Sequence, residues 1–119
     1  METCPLKLKT LNKKDFKKVL KEGKSFRKDF LVLKVRPNLS EKVRFGVLVS
    51  KKLSKKAVLR NKIKRRLREI TRANLEKLVG LDLVFIPFPQ IFNCDFWEIK
   101  QMAEKIFEKI KKPKNEFSF

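Results

Sequence analysis

Ala57-Val58-Leu59-Arg60-Asn61-Lys62-Ile63-Lys64-Arg65-Arg66-Leu67-Arg68-Glu69-Ile70 is the stretch that decides the architecture. With about 100° between successive residues of a helix, Leu59, Ile63, Leu67 and Ile70 fall within about 80° of one another, a stripe suited to facing a core. Arg60, Asn61, Lys64, Arg65, Arg68 and Arg72 occupy an arc of about 140° roughly opposite. One face is apolar and the other cationic. Only Glu69 brings a negative charge between Lys51 and Arg72, so the cations are not neutralised in place. The like charges at i, i+4 (Arg60, Lys64, Arg68) each weaken a helix by about a few tenths of a kcal/mol. A helix that accepts this repulsion suits a phosphate backbone as its counterion. Arginine adds fork-shaped, bidentate contacts to phosphate, and Asn61 adds hydrogen bonds to phosphate or ribose. The plainer alternative is a solvated basic face.

Outward from this helix the chain alternates between helical and strand signals. Toward the N-terminus, Lys13 to Glu22 is expected to be helical: Asn12 is a candidate N-cap, Asp15 sits at the third position, and Gly23 supplies a left-handed stop. Phe16, Val19 and Leu20 lie at i, i+3, i+4. A strand is expected from about Phe26 to Arg36, a turn at Pro37-Asn38-Leu39-Ser40, and a second strand from about Lys42 to Ser50 in which Val43, Phe45, Val47 and Val49 point one way. The basic loop Lys51 to Lys56 leads into the long helix, expected to run from Ala57 to Val79 and to close at Gly80. Beyond it, Leu81 to Ile86 is a short, largely apolar strand ended by Pro87 and Pro89. A last helix spans about Asp95 to Lys111, with Phe96, Ile99, Met102, Ala103, Ile106 and Ile110 as its stripe and Pro113 as its stop. The order helix, strand, strand, helix, strand, helix predicts a small α/β (α+β) sandwich, a mixed sheet packed with helices. Residues 1–119 are expected to form one domain, with 1–11 and 113–119 as loose ends.

The 119 residues carry 32 Lys+Arg against 13 Asp+Glu, a formal net charge of +19. Such an excess opposes compaction and draws the chain to polyanions, nucleic acid first and an anionic membrane second. No segment approaches the roughly 20 apolar residues of a membrane span, and the N-terminus has no apolar run of signal-peptide length. The expected location is the cytoplasm. Cys4 and Cys94 form no C-x-x-C pair, and there is no histidine, so a Cys/His metal site is not expected.

Two segments together resemble a known family. Phe45-Gly46-Val47-Leu48-Val49-Ser50-Lys51-Lys52, followed by Ala57 to Glu69, is similar to the signature of the bacterial ribonuclease P proteins, a Gly-x-x-Val-Ser-Lys-Lys strand end and then Ala-Val-x-Arg-Asn-x-x-Lys-Arg-x-x-Arg-Glu. The resemblance extends to Asp15-Phe16, Gly23-Lys24-Ser25, Ile86-Pro87 and the closing helix. It implies a subunit of an endoribonuclease that removes the 5′ leader of precursor tRNA, with Mg²⁺-dependent catalysis residing in an RNA subunit and no cofactor or metal bound by the protein. It further implies that Arg60, Asn61, Lys64, Arg65 and Arg68, with Lys51 and Lys52, contact the RNA subunit. A cleft between the long helix and the sheet would hold the leader, and a left-handed β-α-β crossover would join parallel strands. Two departures stand out: Leu53-Ser54-Lys55-Lys56 is one residue longer than the corresponding family loop, and some members carry aromatics at the positions of Leu20 and Lys34.

The residues themselves support a cleft. Single strands favour grooves that mix cations with aromatic faces. On one continuous strand, Phe26, Lys28, Phe30, Val32, Lys34 and Arg36 share a face, and Leu31, Leu33 and Val35 form the core face. Phe26, Phe30, Lys34 and Arg36 are thus the expected leader floor, with Phe16 as a wall; the alternative is that Phe16 and Phe30 are ordinary core residues. No catalytic residue is expected in the chain, because Asp15, Asp29, Asp82 and Asp95 are scattered and histidine is absent. Two other functions compete, a ribosomal-type structural RNA-binder and a DNA-binding protein. Neither DNA nor a membrane is the expected partner.

Overall fold

The computed structural model describes residues 8–38, 42–49 and 55–115. Its elements are β1 (Leu8–Thr10), α1 (Lys13–Glu22), β2 (Lys24–Lys28), β3 (Leu31–Pro37), β4 (Val43–Val47), α2 (Ala57–Arg72), α3 (Leu75–Leu78), β5 (Leu81–Pro87), a 3-10 turn (Pro89–Asn93) and α4 (Phe96–Asn115). The five strands form one mixed sheet in the order β1-β4-β5-β3-β2. β5 lies between β4, to which it is parallel, and β3, to which it is antiparallel. α2 and α3 make the crossover between the parallel pair β4 and β5.

The sheet is covered on both faces, as the α/β sandwich requires. On one face Leu33, Val35, Phe45, Leu83 and Phe85 meet Ile63, Leu67 and Ile70 of α2 and Ile99, Ala103, Ile106 and Phe107 of α4. Phe85 and Phe107 pack edge to face with centroids 6.2 Å apart. The α2 residues are those of the apolar stripe. On the other face α1 covers a smaller cluster of Leu11, Val19 and Val84, with Phe16, Leu20 and Ile86 around it. Being central, β5 is buried nearly throughout, which accounts for its continuous apolar run.

Several sequence expectations need correction. The first strand is two strands. Lys28 pairs with Leu31, so Asp29 and Phe30 form the tip of a hairpin, and Asp29 has φ 51°. Aspartate tolerates that left-handed conformation. Of residues 1–11, expected to be loose, 8–11 are held: Leu8–Thr10 pairs in parallel with β4, and the Leu11 amide donates to the Phe45 carbonyl at 2.9 Å, while 1–7 lie outside the described residues. Asn12 caps α1 as expected, its side chain accepting from the Asp15 amide at 2.8 Å. Gly23, however, is extended at φ −69°. It is needed for space, since a Cβ there would run into the Val19 carbonyl. Gly80, at φ 81°, is the left-handed glycine. The long helix stops at Arg72 because Asn74, which follows, turns its side chain back to the Ile70 carbonyl at 2.8 Å and competes with the helical ladder. α4 runs past Pro113 to Asn115. It starts with a reciprocal box, the Asp95 amide donating to Glu98 Oε1 and the Glu98 amide to Asp95 Oδ1, both at 2.9 Å.

Candidate nucleic-acid interface

The cationic arc of α2 faces a hollow at the β1 edge of the sheet. Thr10, Leu11, Phe16, Phe45, Gly46 and Val47 supply its floor and far wall, and Asn61, Lys64, Arg65 and Arg68 supply the near wall; its volume is about 470 Å³. α2 can present these polar residues because Ile63, Leu67 and Ile70 hold its opposite side in the core. Asn61, Lys64, Arg65 and Arg68 are exposed, and Arg60 is half-buried outside the hollow. The first turn of α2 contains no acidic residue, so the positive end of its dipole adds to the field of the side chains. Lys51 and Lys52 lie outside the described residues.

Arg68 is rooted in the floor. Its guanidinium sits 5.6 Å from the Phe45 ring centroid, and Nη2 donates to Thr10 Oγ1 at 3.3 Å. Thr10 is not legible as a site residue from sequence, because it stands on a strand of only three residues. Phe16 projects from α1 over Gly46, where an added Cβ would lie 2.6 Å from the ring. The missing side chain at Gly46 therefore lets the aromatic lie directly against the sheet backbone.

The expected leader floor on β2 and β3 does not assemble. The hairpin turn resets the alternation, and directly paired residues point to the same face. Phe26 pairs with Leu33 and packs, like Phe30, against the main core. Lys34 and Arg36 point to the opposite face, where both serve α1. Lys34 Nζ donates to the Leu20 carbonyl at 2.8 Å, and Arg36 Nε pairs with Glu22 at 3.2 Å. Of the expected cleft residues, only Phe16 lines the hollow.

A charged cluster lies behind Phe16. Asp82, on β5, is fully buried and accepts from Arg44 Nε and Nη2, each at 2.8 Å, and from Asn38 Nδ2 at 3.0 Å. Arg44 Nη1 reaches Asp15 Oδ2 at 2.8 Å. The Asp82 hydrogen bond raises the Arg44 pKa above its ordinary value against the opposing effect of burial, with smaller support from the charges of Asp82 and Asp15. Two aspartates that are far apart in sequence are thus joined by one arginine. Both oxygens of Asp82 and one oxygen of Asp15 accept from these donors. No group of three or more His, Cys, Asp or Glu side chains suited to a metal occurs among the described residues. Nor is any described helix long and apolar enough to cross a membrane.

Comparison with known proteins gives a consistent result. A family model described as Ribonuclease P matches residues 5–111. The ribonuclease P protein component of Dictyoglomus turgidum is 42% identical over 100 residues, covering 80% of this chain and 82% of that protein. The solved RNase P protein of Thermotoga maritima superposes with a TM-score of 0.76 at 33% identity, covering 85% of this chain and 96% of that one. The Staphylococcus aureus RNase P protein gives a TM-score of 0.77 at 29% identity, over 86% and 94%. The mixed sheet with helices on both faces, the cationic face of α2 and these matches agree: the chain belongs to the bacterial ribonuclease P protein family, whose members are subunits of a ribonucleoprotein endoribonuclease.

Proposed function

We propose that this chain is the protein subunit that helps a ribonuclease P RNA remove the 5′ leader of precursor tRNA in the cytoplasm, and that it does so by holding RNA. The observation that carries the proposal is the hollow in which Phe16 and Phe45 meet Asn61, Lys64, Arg65 and Arg68. A cationic wall beside an aromatic floor is the arrangement that single-stranded nucleic acid uses, with phosphates on the charges and a base against the ring. The outward α2 face, with Arg60, Lys64 and Arg65, engages phosphates of the RNA subunit, and the floor at Phe16 takes the leader. RNA subunit and leader then meet along one groove. The Mg²⁺-dependent hydrolysis is then the work of the RNA subunit, to which this chain contributes charge and shape. This chain lowers the Mg²⁺ demand of the assembly by supplying positive charge where phosphates converge.

The test is cleavage of precursor tRNA by a ribonuclease P RNA at low Mg²⁺, with and without the protein. The proposal expects cleavage that neither component shows alone. Tight RNA binding with no gain in cleavage would favour a ribosomal-type structural RNA-binder instead.

A further inference from the structure

We infer that Asp15, acting through Arg44 and Asp82, is a positioning residue that seats Phe16 in the groove. The inference rests on the groove reading above and adds a device to it. α1 has little apolar hold on the sheet: Val19 is its one fully buried side chain, and the cluster beneath it is small. With so little surface removed from water, burial alone leaves the helix free to rock, and polar ties set its pose. At its C-terminal end those ties are Lys34 to the Leu20 carbonyl and the exposed Arg36–Glu22 pair. At its N-terminal end the tie is Asp15 to Arg44, one residue from Phe16.

Arg44 is a rigid anchor. Two of its nitrogens are committed to Asp82, which is wholly buried on the central strand, and withdrawing them would strand a charge in the core. Its remaining terminal nitrogen is aimed at Asp15. Arg44 and Gly46 stand two apart on β4 and so point to the same face. They receive consecutive residues of α1: Arg44 takes the Asp15 carboxylate, and the bare backbone of Gly46 takes the Phe16 ring. Losing the first contact frees the helix end that carries the second.

The test uses holoenzyme reconstituted with a ribonuclease P RNA. Affinity is measured for precursor tRNA with its leader and for the same tRNA without it. Asp15→Asn keeps the side-chain volume and leaves the buried Arg44–Asp82 pair intact. It is expected to weaken leader-bearing tRNA roughly threefold to fivefold and leaderless tRNA not at all. In a Phe16→Ala background the same change is expected to add nothing, because the residue acts through the ring. A penalty that persists undiminished without Phe16, or that falls equally on both tRNAs, overturns the inference. If Asp15→Asn does not fold, Asp15→Ser removes the same carboxylate and leaves the Arg44–Asp82 pair in place. It must then produce the same leader-selective loss, and its absence overturns the inference. If Phe16→Ala alone leaves leader affinity unchanged, the groove reading itself fails, a result distinct from either of these.

Discussion

Arg65→Ala separates an RNA-binding face from a structural one. Arg65 is exposed on α2 and lines the hollow, and no hydrogen bond or ion pair to another described residue engages it. Its loss should therefore change folding stability by no more than about 0.5 kcal/mol, the ordinary range for a surface substitution. Neighbouring Arg68 makes a useful contrast. It stacks on Phe45 and donates to Thr10, so its removal should cost the fold about 0.5–1 kcal/mol from the lost stacking. For RNA the expectation is different. Each phosphate neutralised contributes about 0.7–0.9 to the slope of log affinity against log salt. Between 50 and 200 mM salt, losing one such contact should shrink the salt-induced loss of affinity by about threefold. The assay is fluorescence anisotropy with labelled ribonuclease P RNA across a salt series, paired with urea unfolding of the same preparation. An unchanged salt slope, or a large fall in stability with unchanged affinity per folded molecule, would refute the reasoning.

Other consequences follow from the same geometry. Arg44→Met leaves Asp82 buried with Asn38 as its remaining partner among the described residues and should cost about 3–5 kcal/mol in urea unfolding; a cost below about 1 kcal/mol would show that the pair is not a keystone. Gly46→Ala forces a Cβ to within 2.6 Å of the Phe16 ring and should destabilise by about 1–3 kcal/mol, measured by thermal unfolding. A neutral effect would mean that the ring does not rest on this strand. Burial, and then the charges of Glu98, Asp95 and Asp29, push the Cys94 thiol pKa up. Because the thiolate is the reactive form, alkylation of a Cys4→Ser protein by iodoacetamide should reach half-maximal rate at a higher pH than a free cysteine does. A midpoint at or below the free value would contradict that environment.

The parts of the structure legible in the sequence are those governed by local periodicity. Ile63, Leu67 and Ile70 repeat at helical spacing because α2 lies on the core with one side, and Lys64, Arg65 and Arg68 followed from the same wheel. The hairpin is not legible in the sequence because its tip, Asp29-Phe30, lacks the glycine that marks most two-residue turns. That omission carried Phe26 and Phe30 to the wrong face, since one unrecognised turn reverses the alternation after it. A clue was present: an eleven-residue strand from Phe26 to Arg36 is about twice the usual length. The Arg44 cluster was invisible for a different reason. Asp15 and Asp82 lie 29 and 38 residues from their shared partner, and only the folded sheet brings them together. Asp82 did stand alone within the apolar run Leu81 to Ile86, and an acid in a buried strand must find a cation or donors.

The most direct test of the leader site is crosslinking within the assembled holoenzyme. A single photoreactive uridine is placed in the leader of precursor tRNA, near the cleavage site, and the adducts are mapped by mass spectrometry. The groove at Phe16 predicts adducts on the segment Leu11 to Lys17 and on Arg68, and their loss when excess leader-bearing competitor is added. Adducts confined to Phe26 and Phe30 on the opposite face of the sheet would contradict it.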